Sequence, residues 1–264
     1  MTDPKVNVNE IKQAVKDQFS KNANKYVTSE SHAKSDDLPL LTTWLDPQSN
    51  WIVLDVATGG GHVTKQLAPY VDYVLATDLT HEMLHAARQF ISQSADNVNY
   101  VVADAESLPF LDQSFDAITC RIAAHHFPNP NRFILEAVRV LKPNGKLLLI
   151  DNIASENKSF DHFVNKLEHL RDRSHVRCYT LSEWSTWINA AGFEEMNSRI
   201  RKKTLLFPSW VERTTESDEQ IDEVKQHLLQ ASPEIHNYIK LVKVADEIVS
   251  FAIDEWMVLL KKTS

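Results

Sequence analysis

Glycine, cysteine and basic charge are all scarce in this sequence, and each shortage excludes something. The only cysteines, Cys120 and Cys178, have no metal-ligand spacing and are too few for a disulfide scaffold, which suits a reducing compartment. Lysine and arginine (28) are outnumbered by aspartate and glutamate (36), for a formal net charge of −8. Binding to nucleic-acid phosphates rests on a basic surplus, so no nucleic-acid partner is expected. No run of about 18 apolar residues occurs, so no membrane span is expected. The start, Met1-Thr2-Asp3-Pro4-Lys5, is followed by no apolar leader, and the expected location is cytoplasmic. Repeats and low-complexity tracts are missing too. What remains is ordinary globular material, 43% hydrophobic and 24% charged over 264 residues, enough for an α/β domain with an added helical element.

Residues 7–45 read as helical, with Val15, Phe19, Tyr26, Leu38, Leu41 and Trp44 as apolar positions and a break expected around Asn22, Asn24 and Ser29. From residue 51 the pattern changes. Short apolar runs (Trp51–Val56, Tyr73–Thr77, Val98–Val102, Phe115–Cys120, Lys146–Ile150) alternate with stretches of helical period (Val63–Tyr70, Glu82–Ser92, Arg132–Leu141). Strands alternating with helices imply βαβ units and a parallel sheet buried on both faces. Helices are expected at Ser159–Arg171 and Leu181–Ala190, followed by Gly192 as a C-cap. A strand over Phe193–Phe207, a helical stretch at 208–248 and a last strand at Phe251–Lys261 suggest an antiparallel edge hairpin opened by an insert.

Of only five glycines, three are consecutive: Gly59, Gly60 and Gly61, in Val53-Leu54-Asp55-Val56-Ala57-Thr58-Gly59-Gly60-Gly61-His62. They follow the first buried strand and precede a helix, where glycine lets the backbone approach a nucleotide-like ligand. Neither the dinucleotide G-x-G-x-x-G frame nor the P-loop Gly-Lys-Ser/Thr fits cleanly. Asp55 lies inside the apolar strand, so something must donate to it. A ligand ammonium and a brace across the loop's own groups both satisfy that need, and the residues alone leave the choice open.

The next two strands also end in carboxylates. Asp78 closes Tyr73–Asp78, placed to accept from two ribose hydroxyls, while Thr80 is expected to cap the following helix and leave Asp78 free. Met83 follows in that helix, read either as a packing surface for a flat ring or as core. Asp104, in Val101-Val102-Ala103-Asp104-Ala105-Glu106, can accept from an exocyclic amine. Ligands in open α/β sheets bind at the carboxyl ends of strands, so Asp55, the loop, Asp78 and Asp104 are expected to line one crevice.

In this order the residues resemble the class I S-adenosylmethionine (SAM)-dependent methyltransferases, in their UbiE/YcgJ-like small-molecule branch. The carriers are Leu54–Gly61, Asp78 with Met83, Ala103–Phe110, Ser114-Phe115-Asp116 and Arg139–Lys146, and the likeness runs over roughly 15–200. It implies a Rossmann-like, seven-stranded, mostly parallel sheet with helices on both faces. The implied layout is a single methyltransferase domain: an N-terminal helical cap (1–48), the core (49–207), a helical insert (208–248) and a final edge strand (249–264). It implies SAM as cofactor, with S-adenosylhomocysteine (SAH) as product. Asp55, Ala57, Thr58, Gly59 and Gly61 would face its methionine part, Asp78 its ribose, and Leu79 and Met83 its adenine. Asp104, Ala105 and Glu106 would meet the adenine edge, Arg121 the sulfonium side, and Tyr26, with Phe19 and His32, would fold over the cofactor. Ala57 departs from the commoner glycine.

Methyl transfer from a sulfonium needs a positioned nucleophile and excluded water, and a base only if the acceptor arrives protonated. His125 and His126 are the candidate bases; a buried structural histidine beside an exposed one is the competing reading. No zinc-type spacing appears and no metal is expected. The block after the fourth strand, Arg121-Ile122-Ala123-Ala124, lacks the Asn/Asp-Pro-Pro-aromatic pattern of base methylation. The expected activity is methylation of O, N or C of a small molecule, by a monomer or homodimer. A SAM-binding regulator without turnover and a NAD-dependent oxidoreductase are the alternatives, and the insert at 208–248 is expected to help form the acceptor pocket.

Overall fold

A computed structural model describes residues 7–27 and 36–263. Helix α1 (Val8–Val27) runs unbroken through Asn22 and Asn24, where a break was expected. Asn22 stays helical by donating its side-chain amide back to the Gln18 carbonyl (2.9 Å), and Ala23 next to it is buried against Met83 and Ala86. Packing there outweighs a weak local propensity. Helix α2 (Asp37–Leu45) follows, and residue 32 lies outside the described residues.

The expected alternation then unfolds almost residue for residue: β1 (Ile52–Val56), α3 (His62–Leu67), β2 (Tyr73–Asp78), α4 (His81–Ile91), β3 (Val98–Val102), β4 (Phe115–Arg121), α5 (Pro130–Val140), β5 (Leu141–Ile153), α6 (Lys158–Arg171), α7 (Leu181–Ala190) and β6 (Phe193–Leu206). The insert holds α8 (Phe207–Val211), α9 (Asp218–Leu229) and α10 (Pro233–Tyr238). It ends in a short strand, β7 (Val242–Val244), which was not anticipated and which turns back into β8 (Glu247–Lys262).

The sheet order is β3-β2-β1-β4-β5-β8-β6, with β7 added on β8 as an eighth strand. Strands β1 to β5 are parallel, and β8 runs antiparallel to both β5 and β6. The expected final edge strand is therefore not at the edge: β8 lies between β5 and β6. The reason is polarity. Phe251, Val258 and Leu260 of β8 are fully buried, whereas β6 carries Glu194, Glu195, Asn197, Ser198 and Arg199 exposed along the rim, where charge guards an open edge.

Alternate residues of the central strands serve two apolar layers. Leu54, Val56, Ile118, Leu147 and Leu149 pack with Phe133, Ile134 and Ala137 of α5 and with Trp184 and Ile188 of α7. Val53, Val74, Ala76, Ala117 and Leu148 pack on the other face with Leu38, Leu41 and Leu45 of α2 and with Leu67, Ala87 and Ile91. A separate cluster unites Phe163 and Leu167 of α6 with Trp210, Val224 and Leu228 of the insert and with Phe251 and Ile253 of β8, so the insert packs onto α6 and the sheet.

Candidate functional site

The carboxyl ends of β1 to β4 open into one cleft of about 1010 Å³, closed on one side by α1. Asp55, Ala57, Thr58, Gly59, Asp78 and Asp104 line it, as the strand-end argument required, and so do Leu79, Ala105, Glu106, Arg121 and Tyr26.

Three hydroxyls meet the carboxylate of Asp55. Thr58 and Thr64 donate to Oδ2 at 2.6 and 2.7 Å, and Thr119 donates to Oδ1 at 2.7 Å. Of the two readings the sequence left open, the brace accounts for it. Burial pushes its pKa up, against the pull of those three donors. The braced loop turns through left-handed backbone at Ala57 (φ 52°) and Gly59 (φ 55°). A Cβ added at Gly59 would meet nothing closer than 4.0 Å, so the loop presents bare backbone to the cleft. Gly60 has the opposite surroundings: a Cβ there would come within 2.8 Å of the Tyr26 carbonyl oxygen, so α1 lies directly on the loop. Gly61 does not line the cleft, because it faces Ile91 of α4, whose Cδ1 would be 2.6 Å from an added Cβ.

Asp78 accepts from the Thr80 amide and hydroxyl, both at 3.0 Å, and from the Gly59 amide at 3.2 Å. Thr80 does occupy the N-cap position of α4, but its hydroxyl turns to Asp78 instead of capping, which corrects the expected division of labour. Burial raises the pKa of Asp78, and these amide and hydroxyl donors moderate the rise. Met83 is fully buried among Ala23, Ala86, Phe19 and Tyr26 and does not reach the cleft, because it sits on the face of α4 that α1 covers.

Two expected partners are already engaged within the chain. Arg121 lines the cleft, with its guanidinium held by Asp37 of α2 (Nε–Oδ2 2.5 Å, Nη2–Oδ1 3.1 Å). Asp104 receives the ammonium of Lys12 at 2.6 Å, and Glu106 receives it at 2.7 Å. Burial works against the charge on Lys12, but these carboxylates outweigh it and raise its pKa.

His125 and His126 sit on a single 3₁₀ turn after β4, both buried. Asp151 holds His125, at 2.5 Å from Nδ1 and 3.0 Å from the backbone amide. Burial opposes protonation of His125, yet the Asp151 charge prevails and raises its pKa. His126 points Nδ1 at the Ser174 carbonyl at 2.9 Å. Burial, then the charge of His125, pushes its pKa down to about 4. His126 lines the main cleft and also a second cavity of about 560 Å³, whereas His125 lines only the second. The two cavities share Phe19, Tyr26, Ile122 and His126 as a common wall. His32 lies outside the described residues.

Sequence reasoning missed Lys12, His62, Val63, Ala103, Ile122, Ala123, Phe127 and Pro128 in the main cleft. Lys12 gives no local signal, since it arrives from a helix 92 positions away from Asp104. His62 follows the glycine run, and its Nε2 lies 3.1 Å from the Tyr26 carbonyl, which helps seat α1.

Residues 54–149 match the family model described as a methyltransferase domain. The uncharacterized methyltransferase YcgJ of Bacillus subtilis is 38% identical over 217 residues, covering 82% of this chain and 86% of that protein. The crystal structure of a Bacillus halodurans protein superposes with a TM-score of 0.84 at 41% identity, covering 87% of this chain and all (100%) of the other. The crystal structure of B. subtilis YcgJ gives a TM-score of 0.81 at 33% identity, over 86% of this chain and 98% of that one.

Proposed function

The chain belongs to the class I SAM-dependent methyltransferases and SAM is its cofactor; from that premise we propose that it methylates O, N or C of a small-molecule acceptor, acting mainly by enclosure and orientation. The observation that carries this reading is the pair of adjoining cavities, one with cofactor-type carboxylates and one behind it, joined at Phe19, Tyr26, Ile122 and His126. When bound, the cofactor supplies an electrophilic methyl group on a sulfonium.

In this reading Asp78 takes the ribose hydroxyls, the bare backbone of Ala57–Gly59 receives the methionine part, and Leu79 with Ala105 flanks the adenine. Helix α1 closes the cleft with Phe19 and Tyr26 and keeps water out. His126 faces the acceptor. A carbonyl only accepts, so Nδ1 of His126 carries the proton given to Ser174, and Nε2 is left as an acceptor. With its pKa depressed to about 4, the ring stays neutral at pH 7 and orients the acceptor's O–H or N–H through Nε2. Trp210 and Arg213 in the second cavity support a role for the insert in holding the acceptor. The acidic net charge of −8 favours a small molecule over nucleic acid. Two buried cysteines without a disulfide favour the cytoplasm.

Calorimetric titration with SAM, SAH and NAD tests the cofactor half of this reading. Micromolar binding of SAM and SAH without NAD is expected. Binding of NAD in preference to SAM would return the glycine loop to an oxidoreductase reading.

A further inference from the structure

Resting on that reading and deepening it, we infer that the acceptor is an anion: a carboxylate or phosphate on a flat apolar body, held by Arg171, Lys203 and Arg213 in the cavity behind His126. Among the described residues, the charged side chains lining this cavity are those three cations with one carboxylate, Glu168, and a buried histidine, His125. So local a positive excess stands out in a chain of net charge −8.

All three cations are engaged within the chain, and Arg171 and Lys203 keep donors beyond the carboxylates they meet. Arg171 meets Glu168 at 2.9 Å and lies over the Trp210 ring at 4.5 Å, which fixes its plane; among the described residues its buried Nε has no hydrogen-bond partner, nor do Glu168 Oε1 and Asn152 Oδ1 in the same wall. Lys203 meets Glu255 at 2.5 Å and has three N–H donors in all. Burial and then the charge of Arg171 push the pKa of Arg213 down, against the pull of Tyr26, Glu168 and Asp172. An oxyanion in this cavity would find guanidinium and ammonium donors on its wall, the groups best suited to hold a carboxylate or phosphate. The remaining wall includes the rings of Phe19 and Trp210 with Leu205 and Ile253, a slot for an apolar plane. Because the cavity meets the cofactor cleft at His126 and Ile122, a molecule anchored at the arginines extends its far end toward the methyl group.

The test uses the full chain, titrated first with SAH by calorimetry and then, saturated with SAH, with benzoate, phenyl phosphate and benzamide. Benzoate or phenyl phosphate is expected to bind at least tenfold more tightly than the uncharged benzamide. Lys203→Met and, separately, Arg213→Met are each expected to cut that preference at least threefold while leaving SAH affinity within twofold of the parent. Equal binding of benzamide, no binding of either anion to the SAH-loaded protein, or a preference that survives both substitutions would overturn the inference and leave the methyltransferase reading intact. Failure of SAH itself to bind would remove the cofactor reading, and the acceptor inference with it.

Discussion

Asp55 and Asp78 face one crevice, and their donors give them different work. Asp55 is bonded by the hydroxyls of Thr58, Thr64 and Thr119. Asp55→Ala strands three donors in a buried place and should cost about 2–4 kcal/mol of stability in denaturant melts. Asp78 ties the Gly59 amide to Thr80 at the rim of the cleft, and Asp78→Ala should weaken SAM binding at least tenfold by calorimetry. An unchanged affinity would remove the ribose assignment. The pH dependence of stability is set partly at His126, whose pKa falls from 6.5 to about 4 on folding. Its contribution is fully present above pH 6.5 and is lost as pH drops from 6.5 toward 4, by at most about 3 kcal/mol from linkage. His125 titrates the other way, raised by Asp151, so its contribution is present below 6.5 and is lost as pH climbs through its folded value. Comparing parent and His126→Gln in denaturant melts at pH 4.5 and 6.5 isolates the first effect: the variant should lose less stability on acidification, and equal losses would contradict a buried neutral ring.

Two elements govern access. Helix α1 rests on the glycine loop so closely that a methyl group at Gly60 would meet the Tyr26 carbonyl at 2.8 Å and the Val27 amide nitrogen at 2.9 Å. Backbone cannot give way as a flexible side chain does, so Gly60→Ala should lift the end of α1. Faster hydrogen exchange across α1 and a loss of SAH affinity of about tenfold are expected, which is roughly 1.4 kcal/mol. Unchanged exchange would mean the helix is not seated on the loop. The insert packs through an apolar cluster that it shares with α6, β6 and β8. Leu228 is fully buried there, and Leu228→Ala should destabilise by about 2–5 kcal/mol, depending on how far the site collapses. Since Leu228 touches neither cavity wall, SAH affinity should be retained; a parallel loss would show that insert and cofactor half are one cooperative unit.

For the molecule as a whole, cofactor binding and stability are linked. SAH at about one hundred times its Kd should stabilise the folded chain by about 2.7 kcal/mol, raising the melting temperature by roughly 5–10 °C, whereas NAD at the same concentration should not. The parallel half of the fold was legible in the sequence because β1, β2, β4 and the later part of β5 are largely buried and read as apolar runs, and because Asp55, Asp78 and Asp104 sit at strand ends that the right-handed βαβ rule gathers at one edge. Both are local signals, and the topology needs only them. Sequence could not say that β8 slips between β5 and β6, since register and strand order in an antiparallel pair depend on which face and edge neighbouring strands leave open. Nor could it say that Lys12 would reach Asp104, that Asp37 would claim Arg121, or that Met83 would be covered by α1. Each of those outcomes is a contact between residues far apart in the chain, so no spacing or period encodes it. The residue types and their strand ends were fixed by sequence; which charge met which partner, and where the second cavity opened, was decided only when α1 and the insert packed onto the sheet.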